Sequence, residues 1–467
     1  MLATSLLVPA TGAADEITLT TSAASGATKQ LALNAGLTAT LTWDGGASEQ
    51  ITFDGLAKDI AVQGSVLKIT TTGSADLTSL YCPDWDLTAI AFGSARGLKS
   101  VDVSFNNLTA LSFTGTNFPY LVELNCRNNA LTSLVVSPLT RLEVLDCSNN
   151  QLSTLDVQWD VAMKSLNAAG NSLSAITTTR MTNLRTLWLQ NNAFTTLTIN
   201  RSTLSDLYLF GNQLATLNLS ALGSARNVWV DNNKLTTIDL STAKNLVTFS
   251  GSDNELSSVK LTSDMASTLR RFYAANNNLA FNSFPTVGLS ATNVYVKSIL
   301  SPQNPIEVPA TISNTDTLRL SGYGALNGYS QNPIPVYAFY KVSDNTKLVL
   351  RTDYTTAGGA GNYLFQKTTE PIYGTITSSR YPGVTIYTSN FSVEDPTAIS
   401  SARSSAKGFT IATAKGQLSI TTAEAASVNI VNTAGVIVAG GRIDAGTTTW
   451  LLPAGVYIVG DKKVLVP

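Results

Sequence analysis

From Leu77 to Val296 the apolar positions of the chain fall into a register that returns about every 21 residues. Within one return they read apolar-x-x-apolar-x-apolar-x-x-Asn-x-apolar, clearest in Leu142, Leu145, Cys147, Asn150 and Leu152. Nine complete copies open at Leu98, Leu121, Leu142, Met163, Leu184, Leu204, Ala225, Leu246 and Leu269. Each brings an asparagine to the same place: Asn106, Asn129, Asn150, Asn171, Asn192, Asn212, Asn233, Asn254 and Asn277. The alternation before it is that of a strand whose side chains face opposite ways. A second alternation follows in each copy, as in Leu152, Leu155 and Val157 or Leu235, Ile238 and Leu240. Only five residues, Ser241 to Asn245, then lead into the next copy, which leaves no room for a helix. Each copy is therefore predicted to be a rung with parallel strands on both sides of one apolar interior.

The pattern resembles the leucine-rich repeat, which implies a solenoid whose rungs touch only their neighbours and present one long concave surface. Two degenerate copies flank the nine, one from Leu77 with Trp85 in the asparagine place, the other from Ala291 through Val294 and Val296 with no asparagine. A capped stack requires such atypical ends. The asparagine column is expected to satisfy turn backbone of adjoining rungs. On that reading Asn192 is structural, whereas its neighbour Asn191 is exposed and replaceable. After Leu279 the second alternation is broken by Asn282 and Pro285, where the solenoid begins to close.

Residues 16–76 alternate with period two, as in Ile17 and Leu19 or Thr38, Thr40 and Thr42, around turns at Asp44-Gly45-Gly46 and Gly73. They resemble the small β module that opens many secreted bacterial leucine-rich repeat proteins, and the resemblance implies a cap on the first rung. Residues 1–15, apolar from Leu2 with small Gly12, Ala13 and Ala14, read as a leader or the remnant of a signal peptide. After a solenoid at 77–300, Ser301 to Pro305 reads as a linker within a segment 301–395. Strands are predicted there at Val336–Val342, Lys347–Arg351, Tyr363–Gln366 and Thr385–Val393. This segment resembles an immunoglobulin-like β-sandwich without its cysteine pair. In residues 396–467, strands are predicted around Phe409–Ala412, Leu418–Thr421, Val428–Val431, Val436–Val438 and Val456–Val459. The blocks Val428 to Gly435, Leu452 to Val459 and Lys463 to Val466 resemble the C-terminal sorting domain of type IX secretion, which implies export and attachment at the cell surface. The expected fold is mainly β: a leucine-rich repeat solenoid of about nine full 20–23-residue repeats and two degenerate end rungs, flanked by β-sandwich-like domains.

Composition narrows the function. Charged residues make up 13% of the 467, against roughly 25% in an average soluble domain, as suits a secreted β-rich protein. With 30 basic and 31 acidic residues and no run of Lys or Arg, nucleic acid is not an expected partner. The chain has no histidine, so Ser-His-Asp and Cys-His catalysis are excluded and the commonest zinc ligand is missing. No nucleophile motif, phosphate loop or metal-ligand spacing is present, and no cofactor is expected. Asp102 and Asp146 share a column about 10 Å apart, which could suggest glycoside hydrolysis, but no environment that would raise one pKa is visible. Cys82, Cys126 and Cys147 occupy inward places and are expected to be buried free thiols. No segment reaches the length of a membrane-spanning helix.

The third, fifth and seventh places of each copy alternate with the inward ones and so must face the concave surface. The fifth column reads Tyr81, Asp102, Asn125, Asp146, Asn167, Trp188, Tyr208, Trp229, Ser250, Tyr273 and Tyr295. Trp188, Tyr208 and Trp229 lie on consecutive rungs and form an aromatic platform roughly 10 Å long. Phe210 and Tyr273 lie close by, and Gln190, Asp206, Asn227, Asp231 and Arg271 supply polar groups. Exposed Trp and Tyr clusters are the usual anchors of binding surfaces. The competing reading is that they stabilise neighbouring strands, but the N-terminal half of the face manages with Ser, Asp and Asn. The expected function is non-catalytic recognition of an extracellular protein or glycan by a monomeric, exported protein; the alternative is a structural spacer of the cell envelope.

Overall fold

The computed structural model describes residues 14–72, 76–113, 118–281, 300–324, 335–394 and 409–467, apart from single positions and pairs within them. The leader up to residue 13, the end rung from Ala291 to Val296, and Asn282 and Pro285 lie outside the described residues. The chain forms two compact units, one of Met1–Pro305 with Leu326–Pro335 and Thr377–Ile386, the other of Ile306–Ala325, Val336–Ile376 and Tyr387–Pro467.

In the first unit the inward leucines select the strands. Ser100–Asp102, Glu123–Asn125, Val144–Asp146, Ser165–Asn167, Thr186–Trp188, Asp206–Tyr208, Asn227–Trp229, Thr248–Ser250 and Arg271–Tyr273 run parallel and in register within one 12-stranded sheet. Each middle residue, such as Leu145, Leu187 or Phe272, is fully buried. The protein is a leucine-rich repeat solenoid, mainly β. The parallel strands expected on the opposite side form, among the described residues, as three two-stranded pieces: Ala110–Ser112 with Ser133–Val135, Thr196–Thr198 with Thr216–Asn218, and Thr237–Asp239 with Ser258–Lys260. Between the first two, pairing shrinks to the single bridge of Val135 with Asp156. The three cysteines are buried and unbridged, and burial pushes each thiol up in pKa.

The asparagine column is a hydrogen-bond ladder. Asn192 Oδ1 accepts from Leu173 N–H at 2.9 Å, while Nδ2 donates to the carbonyls of Ala168 at 2.9 Å and Leu189 at 3.1 Å. The same pattern recurs at Asn150, Asn171, Asn233 and Asn254. At the far end the ladder runs into the expected linker, where Gln303 Oε1 accepts from Leu279 N–H at 3.1 Å and Nε2 donates to Ala274 and Leu300 carbonyls. Gln303 therefore replaces the asparagine that the sequence lacks there, its longer arm bridging a rung it does not share. The residue before each asparagine adopts a left-handed backbone: Asp84, Phe105, Asn128, Asn149, Gly170, Asn191, Gly211, Asn232, Asp253 and Asn276 all have φ between 51° and 67°. Their N–H groups donate to the next rung, as Asn191 does to Phe210, which holds that conformation in place. Asn191 is thus exposed as expected but not freely replaceable, because residues with a Cβ disfavour this region unless their side chains are short and polar.

The N-terminal cap joins both sides of the stack. Its strands are β1 (Glu16–Thr21), β2 (Thr28–Leu33), β3 (Thr38–Trp43), β4 (Ser48–Thr52), β5 (Lys58–Ala61) and β6 (Val66–Thr72); the first rung supplies β7 (Ser79–Tyr81) and β8 (Leu87–Ala91). β2 pairs antiparallel with β7 and so closes the edge of the concave sheet, while β1 pairs with β8 on the other side. Trp85, in the asparagine place, is fully buried and its Nε1 donates to Gln30 carbonyl at 2.6 Å. Closing an open edge in this way removes a template for aggregation.

Beyond residue 335 the strands Val336–Lys341 and Asn362–Phe365 form close to where the alternation predicts, while Ile372–Thr377 forms where no strand was predicted. Lys347–Arg351 forms isolated bridges and a turn rather than a strand. The run predicted at Thr385–Val393 is two strands, Thr385–Tyr387 and Ser392–Glu394. It breaks because Ser389 N–H donates to Ile306 carbonyl and leaves the partner used by Thr388, Gly374. Farther on, a three-stranded and a four-stranded antiparallel sheet are built from Phe409–Ala414, Gln417–Thr422 and Gly446–Leu451, and from Ile437–Ile443, Ala426–Asn432, Gly455–Val459 and Lys462–Val466. Their shared core includes Leu418, Ile420, Ile430, Tyr457 and Val459.

Candidate recognition site

The outward fifth column brings four rings into one row. Trp188 and Tyr208 stack with centroids 5.8 Å apart and planes 8° from parallel. Tyr208 and Trp229 follow at 6.4 Å and 22°. Trp229 then stacks on Tyr273 at 6.3 Å and 25°, although a whole rung lies between them. Two rungs span about 9.6 Å, so these two rings lean toward each other over Ser250. That serine is buried, and its hydroxyl donates to Asp231 Oδ1 at 2.6 Å. Ser250 is the residue that sequence reasoning missed: a small side chain in an aromatic column is what lets the row continue.

Face-to-face stacking changes what the row can offer. Tyr208 and Trp229 each have a neighbouring ring on both sides at offset-stacking distances, so their faces are partly covered and their edges, which carry the positive part of the ring quadrupole, the phenol O–H and the indole N–H, are the parts most open to a ligand. Burial, with Asp206 beside it, raises the Tyr208 phenol, which keeps it a donor at neutral pH.

The flanking polar residues are only partly available. Asp206 Oδ1 accepts from Asn227 at 2.6 Å. Asp231 accepts from both Ser250 and Ser252 N–H, yet burial outweighs these bonds and raises its carboxyl. Gln190 Oε1 is buried without a partner among the described residues. Phe210 is half-buried, one place beyond the row. Arg271 is exposed and stands apart, with no ion pair among the described residues.

No protein-family model and no curated protein matches the chain. Among solved structures it is similar to YopM from Yersinia enterocolitica, at 27% identity over 40% of this chain and 39% of that one, with a TM-score of 0.35. It is also similar to the functional domain of InlJ from Listeria monocytogenes, at 15% identity over 72% of this chain and 94% of that one, TM-score 0.25. An internalin-like protein of Listeria monocytogenes shares 15% identity over 65% of this chain and 81% of its own, TM-score 0.34. The chain spans about two fifths of the length of the YopM structure.

On the N-terminal half of the concave face the carboxylates are occupied by neighbours. Asp102 accepts from Ser104 Oγ at 2.7 Å and Asn125 Nδ2 at 2.8 Å, and Asp146 from Ser148 Oγ at 2.6 Å and Asn167 Nδ2 at 3.1 Å. Each carboxylate thus accepts from the serine two places on and from the asparagine of the next rung. No described helix is long and apolar enough to cross a membrane.

Proposed function

We propose that the protein is a non-catalytic recognition protein that binds a partner through the concave row of Trp188, Tyr208, Trp229 and Tyr273, with Gln190, Asp206, Phe210, Asp231 and Arg271 around it. The observation that carries this reading is the stacked row itself, four rings in continuous contact in one half of a face whose middle rungs carry Asp and Asn in the same column. Between the two ligand classes expected from the sequence, the geometry favours protein over glycan, since the inner ring faces on which a sugar would stack are partly covered by other rings. A structural spacer is the second reading, supported by the same stacking, because each ring pair contributes to stability whether or not anything binds.

Matched protein and glycan arrays, probed with wild type and Trp229→Ala, separate these. We expect protein ligands, and a loss of about 2 kcal/mol in their binding, or roughly 30-fold in affinity. The same change removes two ring contacts and should lower stability by about 1–2 kcal/mol. A lowered melting temperature with no ligand bound by wild type would leave only the spacer.

For the second unit we propose an immunoglobulin-like module followed by a sorting-like terminal module, as an exported, surface-held protein would carry. None of residues 397–467 belongs to the first unit. Deleting them is therefore expected to leave the solenoid folded, with an unchanged melting temperature, while cell-surface labelling disappears; retained surface labelling would remove the sorting assignment.

A further inference from the structure

At the opposite end of the concave face, Phe105 breaks the chemistry of its column. Every other described residue in that left-handed place is Asn, Asp or Gly, the types that tolerate it, whereas Phe105 has φ 55°. It is held there by its N–H donating to Arg127 carbonyl at 2.9 Å. Its ring is not used in the core, for it is 47% exposed. The Arg127 guanidinium lies over the ring, 4.8 Å from its centroid, and makes no ion pair among the described residues. Strained residues of this kind persist where the strain serves a ligand.

Phe105 and Arg127 line a cleft of about 370 Å³ with Tyr81, Pro83 and the cap's Lys29. Tyr81 is 41% exposed. Lys29 pairs with Asp86 at 2.7 Å and reaches Asp84 at 4.0 Å, and Asp102 is held by hydrogen bonds from Ser104 and Asn125. Arg127 is the cation of the cleft without a carboxylate partner among the described residues, and its place over the ring leaves the guanidinium edge open to a carboxylate. Beside it lie two exposed rings and a proline.

We propose that this cleft is a second binding site, for an acidic peptide segment in which an Asp or Glu adjoins an apolar side chain, the carboxylate meeting Arg127 and the apolar group meeting Tyr81 and Phe105. It is independent of the aromatic row, which begins four rungs away.

The test is panning of a phage-displayed library of linear 12-residue peptides on the full chain, followed by affinity measurement with one enriched synthetic peptide. Enriched peptides should carry the acidic–apolar pair. Affinity should fall at least about tenfold on changing the peptide's acid to its amide, on Arg127→Gln and on Phe105→Asn, yet stay within about threefold in Trp188→Ala. Phe105→Asn installs the side chain that other rungs use, so its melting temperature should equal or exceed that of wild type, which separates lost binding from lost folding. The proposal is overturned if no peptide is enriched, if the enriched peptides lack acids, if binding survives either cleft variant, if Trp188→Ala removes it, if Phe105→Asn melts well below wild type, or if an oligosaccharide of uronic acids outcompetes the peptide.

Discussion

Asp160→Leu is expected to stabilise the first unit by about 2–4 kcal/mol at pH 8 and by much less at pH 4. Three residues before the opening position of most copies, the chain turns inward through Ala95, Phe118, Leu139, Met181, Leu222 and Ala243, all buried, while the copy opening at Leu204 places the half-buried Arg201 there. Asp160 stands in this column between Leu139 and Met181, is fully buried, and neither carboxyl oxygen has a hydrogen-bond partner among the described residues. Loss of hydration, with Asp156 nearby, raises its pKa from 3.8 to about 7. Between those two values the folded chain holds a proton that the unfolded chain has released, so stability falls as pH rises through the interval. The penalty is complete above about pH 7 and absent below about pH 4. Leucine restores the side chain of the preceding rung and removes the titration. Denaturant unfolding at pH 4, 6 and 8 on both proteins measures this; a stability difference that does not change with pH would show that Asp160 is not the titrating group.

What was legible in the sequence is what repeats. Leu145, Leu187 and Leu207 recur in step with their asparagines, and this fixed both the inward residues and the outward column that carries Trp188, Tyr208 and Trp229. Single departures from the repeat were not legible, because periodicity averages over them. Gln303 lies among prolines and 26 residues beyond Asn277, so it reads as linker although it completes the ladder. Ser250 looks like a gap in the aromatic column until the lean of Trp229 and Tyr273 closes it. Asp160 and Phe105 were within reach: aligning the copies column by column shows one acid in a column that is apolar apart from Arg201, and one phenylalanine among Asn, Asp and Gly. The far side of the rungs was only half legible, since its alternation predicts which residues point inward but not whether neighbouring rungs approach closely enough to pair.

Adjacent asparagines of one rung give a further result that depends on position alone: Asn192→Ala is expected to cost about 1–3 kcal/mol and Asn191→Ala about 1–2 kcal/mol, for unrelated reasons. Removing the Asn192 amide orphans the buried Leu173 N–H, at a cost of about 1–3 kcal/mol, and takes one of two ladder donors from the carbonyls of Ala168 and Leu189, which keep Asn171 and Asn212. Asn191 makes no comparable set of bonds. Its contribution is tolerance of φ 55°, which alanine lacks. Glycine separates the two mechanisms. At 191 it relieves the backbone, as Gly170 and Gly211 already do in the same column, so Asn191→Gly should lie within about 0.5 kcal/mol of wild type. At 192 it supplies no amide, so Asn192→Gly should be at least as damaging as Asn192→Ala. Chemical denaturation of the four variants reads all of this at once. If glycine rescued 192 instead of 191, the register would be displaced by one residue, every outward side chain would turn inward, and the recognition face would have to be assigned again.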